Sequence, residues 1–111
     1  MTILDTSILI EKVRRREEIR EDITVVSIVE FPQILAYRKF SGRIVYPMPE
    51  DYELAYKLQL KLMSVGKPKP FSDLLIAATC INRNEELMTN DEDFKDIANV
   101  SNLKLRSEIN K

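Results

Sequence analysis

The chain has 111 residues, 44% hydrophobic and 32% charged, which sets one domain over residues 1–111 around a single core, with no room for a second. Its formal net charge of −1 makes it no general sponge for nucleic acid, so any such contact must come from a local patch or through metal ions. One cysteine and no histidine exclude an intrachain disulfide, a cysteine-based zinc site and a histidine-activated thiol.

Residues 2–4 read as a short buried strand stopped by Asp5-Thr6-Ser7. A helix follows with Ile8, Leu9, Ile10 and Val13. It dissolves into the charged stretch 14–22, read as a solvated helix or helical hairpin anchored by Ile19. The β-branched residues 23–26 make a second strand. Ser27 and Glu30 match the S-x-x-E capping box, which predicts a helix starting at Ser27. Pro32 removes a backbone donor, so a kink or late restart is expected before that helix runs on through Ile34, Leu35 and Tyr37. Residues 44–46 are a small strand closed by Pro47 and Pro49. Apolar residues recur from 50 to 63 at mixed helical spacing, giving an amphipathic helix. Gly66-Lys67-Pro68-Lys69-Pro70 is the clearest loop. Ser72 is expected to cap a strongly apolar helix over 73–81, in which Cys80 is a small buried hydrophobe. A strand at 86–88, a short helix at 91–98 and a strand at 103–105 complete the chain. Strands alternating with helices imply a three-layer α/β/α sandwich with a small, mainly parallel sheet of four or five strands. The first structured motif leaves no space for a signal peptide, and no apolar stretch approaches bilayer length, so the expected location is the cytoplasm.

Asp5, Glu30, Asp73 and Asp91 each sit where an apolar run meets the start of an expected helix. In an open α/β sheet, ligands gather beyond the carboxyl ends of the strands. Four carboxylates delivered there repel one another unless a divalent cation holds them together. Singly, each has a structural explanation. Asp5 and Glu30 suit capping, and Asp73, Asp91 and Asp93 suit first helical turns, with Asn90 a natural cap. As a set they exceed that need, because Ser27, Ser72 and Asn90 already serve as caps. Oxygen-only ligands point to Mg²⁺ or Mn²⁺ rather than zinc, and the pattern as a whole to a metal-dependent nuclease.

Two basic groups border this edge. Lys67 and Lys69, in the Pro-rich loop directly before Asp73, are candidates for contacts with a phosphate backbone. Arg14 and Arg15, with Lys12, Arg16 and Arg20, are weaker candidates. Glu17, Glu18, Glu21 and Asp22 balance them, and a solvated helix face is the preferred reading.

The blocks Ile3-Leu4-Asp5-Thr6-Ser7, residues 25–30, Phe71-Ser72-Asp73-Leu74-Leu75-Ile76-Ala77-Ala78 and Met88-Thr89-Asn90-Asp91-Glu92-Asp93-Phe94 resemble, in order, those of PIN-domain ribonucleases, especially VapC-type toxins. The resemblance implies a metal-binding quartet of Asp5, Glu30, Asp73 and Asp91, with Asp93 a further acid and Thr6, Ser7 and Thr89 supporting hydroxyls. It implies hydrolysis of single-stranded RNA phosphodiesters, with metal ions activating water and no side-chain nucleophile. It also implies the toxin of a type II toxin–antitoxin pair, with a small antitoxin as partner, and a two-fold homodimer. Residues 50–63 support the dimer, because Tyr52, Tyr56, Leu60 and Met63 recur at three- and four-residue spacings; this helix, or the one expected at 31–40, forms the contact. Two other readings compete. An aspartate-based phosphatase of the haloacid-dehalogenase type needs a second Asp where Ser7 stands. A catalytically silent PIN-like module that only binds partners has no evident reason to keep all four acids.

Overall fold

The computed structural model describes residues 1–108; the last three residues of the expected domain lie outside them. Strand β1 (Thr2–Leu4) pairs in parallel with β4 (Glu86–Met88), Ile3 opposite Leu87, and β4 pairs in parallel with β5 (Leu105–Arg106). Strands β2 (Ile23–Thr24) and β3 (Ile44–Val45) form a second parallel pair. A bridge from Ile3 to Asp22 joins the two sheets. There Leu4 N–H donates to the Asp22 carbonyl at 2.9 Å and Asp22 N–H to the Thr2 carbonyl at 3.0 Å. The five strands thus follow one another as β3-β2-β1-β4-β5, in two joined sheets rather than one unbroken ladder.

Successive strand residues point to opposite faces, and the core divides accordingly. Ile3 and Leu87 pack with Leu58, Leu62, Ile76, Phe94 and Ile97. These come from α3 (Pro49–Ser64), α4 (Phe71–Asn82) and α5 (Asp93–Asn99). Leu4 and Met88 pack on the other side with Ile8, Leu9, Ile19, Ile23 and Ile34, two of them from α1 (Thr6–Arg14). This is the three-layer α/β/α arrangement that alternating strands and helices predict. Among the described residues, no helix is long and apolar enough to cross a membrane.

Several local expectations are corrected. The stretch 14–22 is not a helical hairpin. Helix α1 stops at Arg14, Arg16 turns with φ 58°, and the chain then bridges twice, Ile19 to Phe40 and Asp22 to Ile3. The two segments approach so closely that a Cβ on Gly42 would lie 1.8 Å from the Glu21 carbonyl oxygen. Helix α2 (Val25–Glu30) begins two residues before Ser27, so Ser27 is a fully buried residue inside it and Glu30 its last residue, not part of a capping box. Phe31, at φ −144° and ψ 71°, leaves the helical region before Pro32, as sterics require, and a 3₁₀ turn at Pro32–Ala36 replaces the longer helix. Ser72 and Asn90 are not caps either: α4 begins at Phe71 and α5 at Asp93.

One buried acid fastens the helical layer. Asp51 is 2% exposed and accepts from Met48 N–H at 2.8 Å and Asn82 Nδ2 at 2.7 Å, while Thr79 Oγ1, whose proton goes to the Leu75 carbonyl at 2.8 Å, lies 3.4 Å from it. It ties the first turn of α3 to the last turns of α4. Asp51→Ala strands these donors and should lower stability by about 2–3 kcal/mol, read from urea unfolding. A loss below about 0.5 kcal/mol, the level of a neutral surface change, would show that the tie is incidental.

Candidate metal centre

Parallel pairing brings the ends of β1 and β4 to the same edge, where Asp5 N–H donates to the Met88 carbonyl at 3.0 Å. Asp5 and the turn at Thr89–Asp91 therefore leave the sheet side by side. Asp5 is 6% exposed, and both of its oxygens are engaged. Oδ1 accepts from Thr6 N–H at 2.7 Å, and Oδ2 accepts from Ser7 Oγ at 3.0 Å and Thr89 Oγ1 at 2.8 Å. Burial raises its pKa above the usual range, the three hydrogen bonds pull it back, and the charge of Asp91 adds to the rise.

Glu30 reaches the same edge from the end of α2. Thr6 Oγ1 donates to its Oε1 at 2.6 Å and lies 2.8 Å from Ser27 Oγ. Since the Thr6 proton goes to the carboxylate, Ser27 supplies the donor of the second bond, completing a relay Ser27–Thr6–Glu30. A negative charge at a helix C-terminus gains nothing from the macrodipole. Capping does not explain this residue.

Asp73 lies half-buried in the first turn of α4, with no hydrogen-bond partner among the described residues. Its pKa is raised to about 6, first by burial, then by the charges of Asp5, Asp91, Asp93 and Glu30. Oxygens of Asp73, Asp91 and Asp93 lie within 4.8 Å of one another. Asp91 Oδ1 accepts from Asp93 N–H at 2.9 Å, and Asp91 N–H donates to Thr89 Oγ1 at 3.0 Å. Thr89 thus links two acids at once. Asp73, Asp91 and Asp93 form the tight group, while Asp5 and Glu30 act on Asp73 through charge.

The donor chemistry fits a hard divalent cation. Every converging atom is a carboxylate oxygen, and the central carboxylate has no hydrogen-bond donor of its own among the described residues. The family profile of the PIN domain matches residues 32–100, more than half of the chain. The chain belongs to the PIN-domain family. No curated protein matches it by sequence. Among solved structures, VapBC2 from Rickettsia felis, bound to a DNA fragment from their promoter, is similar at 20% identity and a TM-score of 0.76, over 96% of this chain and 97% of that one. DNA-bound VapBC from Salmonella typhimurium matches at 16% identity and a TM-score of 0.77, over 96% of both chains. VapBC-5 from Mycobacterium tuberculosis, a member of the VapBC family of toxin–antitoxin systems, matches at 21% identity and a TM-score of 0.74, over 96% and 98%. At these identities the likeness establishes a shared PIN fold.

The basic residues have other engagements. Lys69, with its side chain 9% exposed, donates to Asp93 Oδ1 at 3.2 Å and Asp96 Oδ2 at 2.7 Å. Asp96 foremost holds its pKa above the ordinary lysine value. Lys67 meets Asp96 Oδ1 at 3.5 Å and stays largely exposed. Arg14 pairs with Glu11, and Arg15 with Glu17, Glu108 and Glu11. They lie about 13 Å along the helix from Asp5, in keeping with a solvated, charge-paired end. Ser27 and Lys69 hold roles that sequence reading missed. The signal for Ser27 was its three-residue spacing from Glu30, which puts both on one helix face.

The crowding has a pH signature. Without a divalent cation, folded Asp73 takes up its proton near pH 6, but near 3.8 once unfolded. The folded state binds more protons between those values, so stability falls as pH rises through that window; the raised pKa of Asp5 acts with the same sign. Melting temperature in a chelator should decline from about pH 4 to about pH 6 and level off above it. Asp73→Asn should flatten the decline and melt higher than wild type at neutral pH. Identical pH profiles for the two proteins would rule the crowding out.

Proposed function

We propose that this protein is a Mg²⁺- or Mn²⁺-dependent endoribonuclease that hydrolyses single-stranded RNA phosphodiesters, and that it is the toxin of a type II toxin–antitoxin pair. The observation that carries the reading is Asp73, half-buried, without a donor among the described residues, and surrounded by the charges of Asp5, Asp91, Asp93 and Glu30. Asp73, Asp91 and Asp93 would hold the cation directly, with Asp5 and Glu30 completing the ligand field. A divalent ion in such a site supplies Lewis acidity and a water of lowered pKa. The remaining work falls to the protein. Thr89 and Ser7 fix the carboxylate plane of Asp5, and the Ser27–Thr6 relay fixes Glu30. Thr89 also holds the backbone that carries Asp91.

The antitoxin assignment is supported by PIN membership together with the VapBC complexes to which the fold is similar. A two-fold homodimer is part of the proposal. Tyr52, Tyr56, Leu60 and Met63 are 49%, 60%, 56% and 59% exposed, whereas Ala55, Leu58 and Leu62 of the same helix are buried. The outer face of α3 is thus apolar and open, as an interface requires. The alternative contact on residues 31–40 is weaker, because only a short 3₁₀ turn forms there. The phosphatase reading loses further ground: Ser7, standing where that chemistry needs a second Asp, is itself engaged, donating to Asp5 Oδ2 at 3.0 Å.

Asp73→Asn and Asp5→Asn should abolish Mn²⁺-dependent cleavage of single-stranded RNA, while Thr89→Val lowers it by about 10–100-fold. Glu30→Gln keeps an acceptor for Thr6 yet removes charge, so it should depress cleavage far more than stability. Mn²⁺ at a hundredfold over its dissociation constant should add about 2.7 kcal/mol of stability to wild type. Mn²⁺ binding without RNA cleavage would favour the silent partner-binding module. For the dimer, light scattering should return twice the chain mass, and Leu60→Glu should return one; a monomeric wild type that cleaves RNA at micromolar concentration sinks the dimer.

A further inference from the structure

Lys69 is held more firmly than a loop lysine needs to be. It stands between Pro68 and Pro70, whose rings fix the local backbone. Its N–H donates to Gln59 Oε1 at 3.0 Å, and its carbonyl accepts from Gln59 Nε2 at 2.7 Å. This two-point clamp anchors the residue to α3. Its ammonium is thereby placed between Asp96 and Asp93, with only 9% of the side chain exposed. Asp96 has a second cation in Lys67. Asp93 has no ion-pair partner but Lys69 among the described residues, and it is one of the three acids within 4.8 Å of one another.

A shielded ammonium in this position is withdrawn from any approaching phosphate and turned towards the acids. We propose that Lys69 is a resident counter-cation of the acid cluster, a positioning residue that pins Asp93 and competes with the divalent ion for it. The inference rests on the metal-centre reading. Before the ion binds, the ammonium offsets part of the repulsion among Asp73, Asp91 and Asp93 and keeps Asp93 in register with them. Once the ion binds, Lys69 is a like charge beside it and weakens its hold. A residue that only tethered the loop would stabilise the chain equally with and without the ion.

Calorimetric titration of the metal-free protein with Mn²⁺, paired with melting curves in chelator and in saturating Mn²⁺, tests this. Lys69→Met should bind Mn²⁺ at least about tenfold more tightly, melt lower than wild type in chelator, and show a wider gap between the two melting curves. Lys69→Arg, which keeps the charge, should stay near wild type. Gln59→Ala leaves Lys69 intact but loosens its clamp, and should tighten Mn²⁺ binding by a smaller factor, so a poorly folded Lys69→Met does not end the test. Unchanged or weaker Mn²⁺ binding in Lys69→Met, or in Gln59→Ala should the first variant not fold, overturns the role of Lys69 and leaves the metal centre standing. No Mn²⁺ binding by wild type overturns the centre itself.

Discussion

Asp73 stands in the first turn of α4 with the charges of Asp5, Glu30, Asp91 and Asp93 about it, and its pKa reaches about 6. Like charges crowded at a half-buried edge oppose folding, and a chain keeps such an arrangement only where the surroundings over-determine it. Here the surroundings do so through hydroxyl groups. Thr6, Ser7, Ser27 and Thr89 each donate to or relay towards an acid, and none of them adds charge. The parallel register of β1 and β4 sets the spacing on which these bonds depend.

Two other buried acids show what a purely structural carboxylate looks like in this chain. Asp22, 1% exposed, takes the Arg43 N–H at 2.8 Å and the Arg43 guanidinium at 3.0 Å, and its backbone bridges the two sheets. Asp51 takes two donors, Met48 N–H and Asn82 Nδ2, one on each oxygen. Both are saturated, as buried polar groups ordinarily are. Asp73 has no donor among the described residues and faces four negative charges. The fold therefore satisfies Asp22 and Asp51, while the half-buried Asp73 is left without a donor among the described residues. That contrast separates capping and bracing from ligand supply more sharply than the presence of acids alone.

What the sequence reveals about this chain follows from how local each feature is. The strand at Thr2–Leu4, the strand at Glu86–Met88 and the apolar helix through Ile76 are legible because each is a continuous apolar run ended by polar residues. The acids at their ends are legible for the same reason, since parallel strands deliver their carboxyl ends to one edge. The helix at Val25 was not. Its β-branched start reads as strand, but β2 meets only a two-residue partner, so Val25 and Val26 pass into the helix. The stretch 14–22 misled in the opposite way, because its charges read as a solvated helix while Ile19 and Asp22 are spent on bridges to distant residues. The engagement of Lys69 is not legible in its own loop, as its partners Asp93 and Asp96 lie 24 and 27 residues away.

The sign of charge at this edge sets an order of events. An RNA backbone carries a negative charge at every phosphate, and the five carboxylates of Asp5, Glu30, Asp73, Asp91 and Asp93 repel it at close range. The net charge of the whole chain, −1, offers no long-range attraction to compensate. The nearest ammonium, on Lys69, is turned inward and already paired. Under the proposed function, substrate phosphate therefore has no favourable electrostatic partner at the centre until a divalent cation has reversed the local sign. Cation first and RNA second is the order that this arrangement permits, and it makes cation supply a control on the nuclease that needs no moving part of the fold.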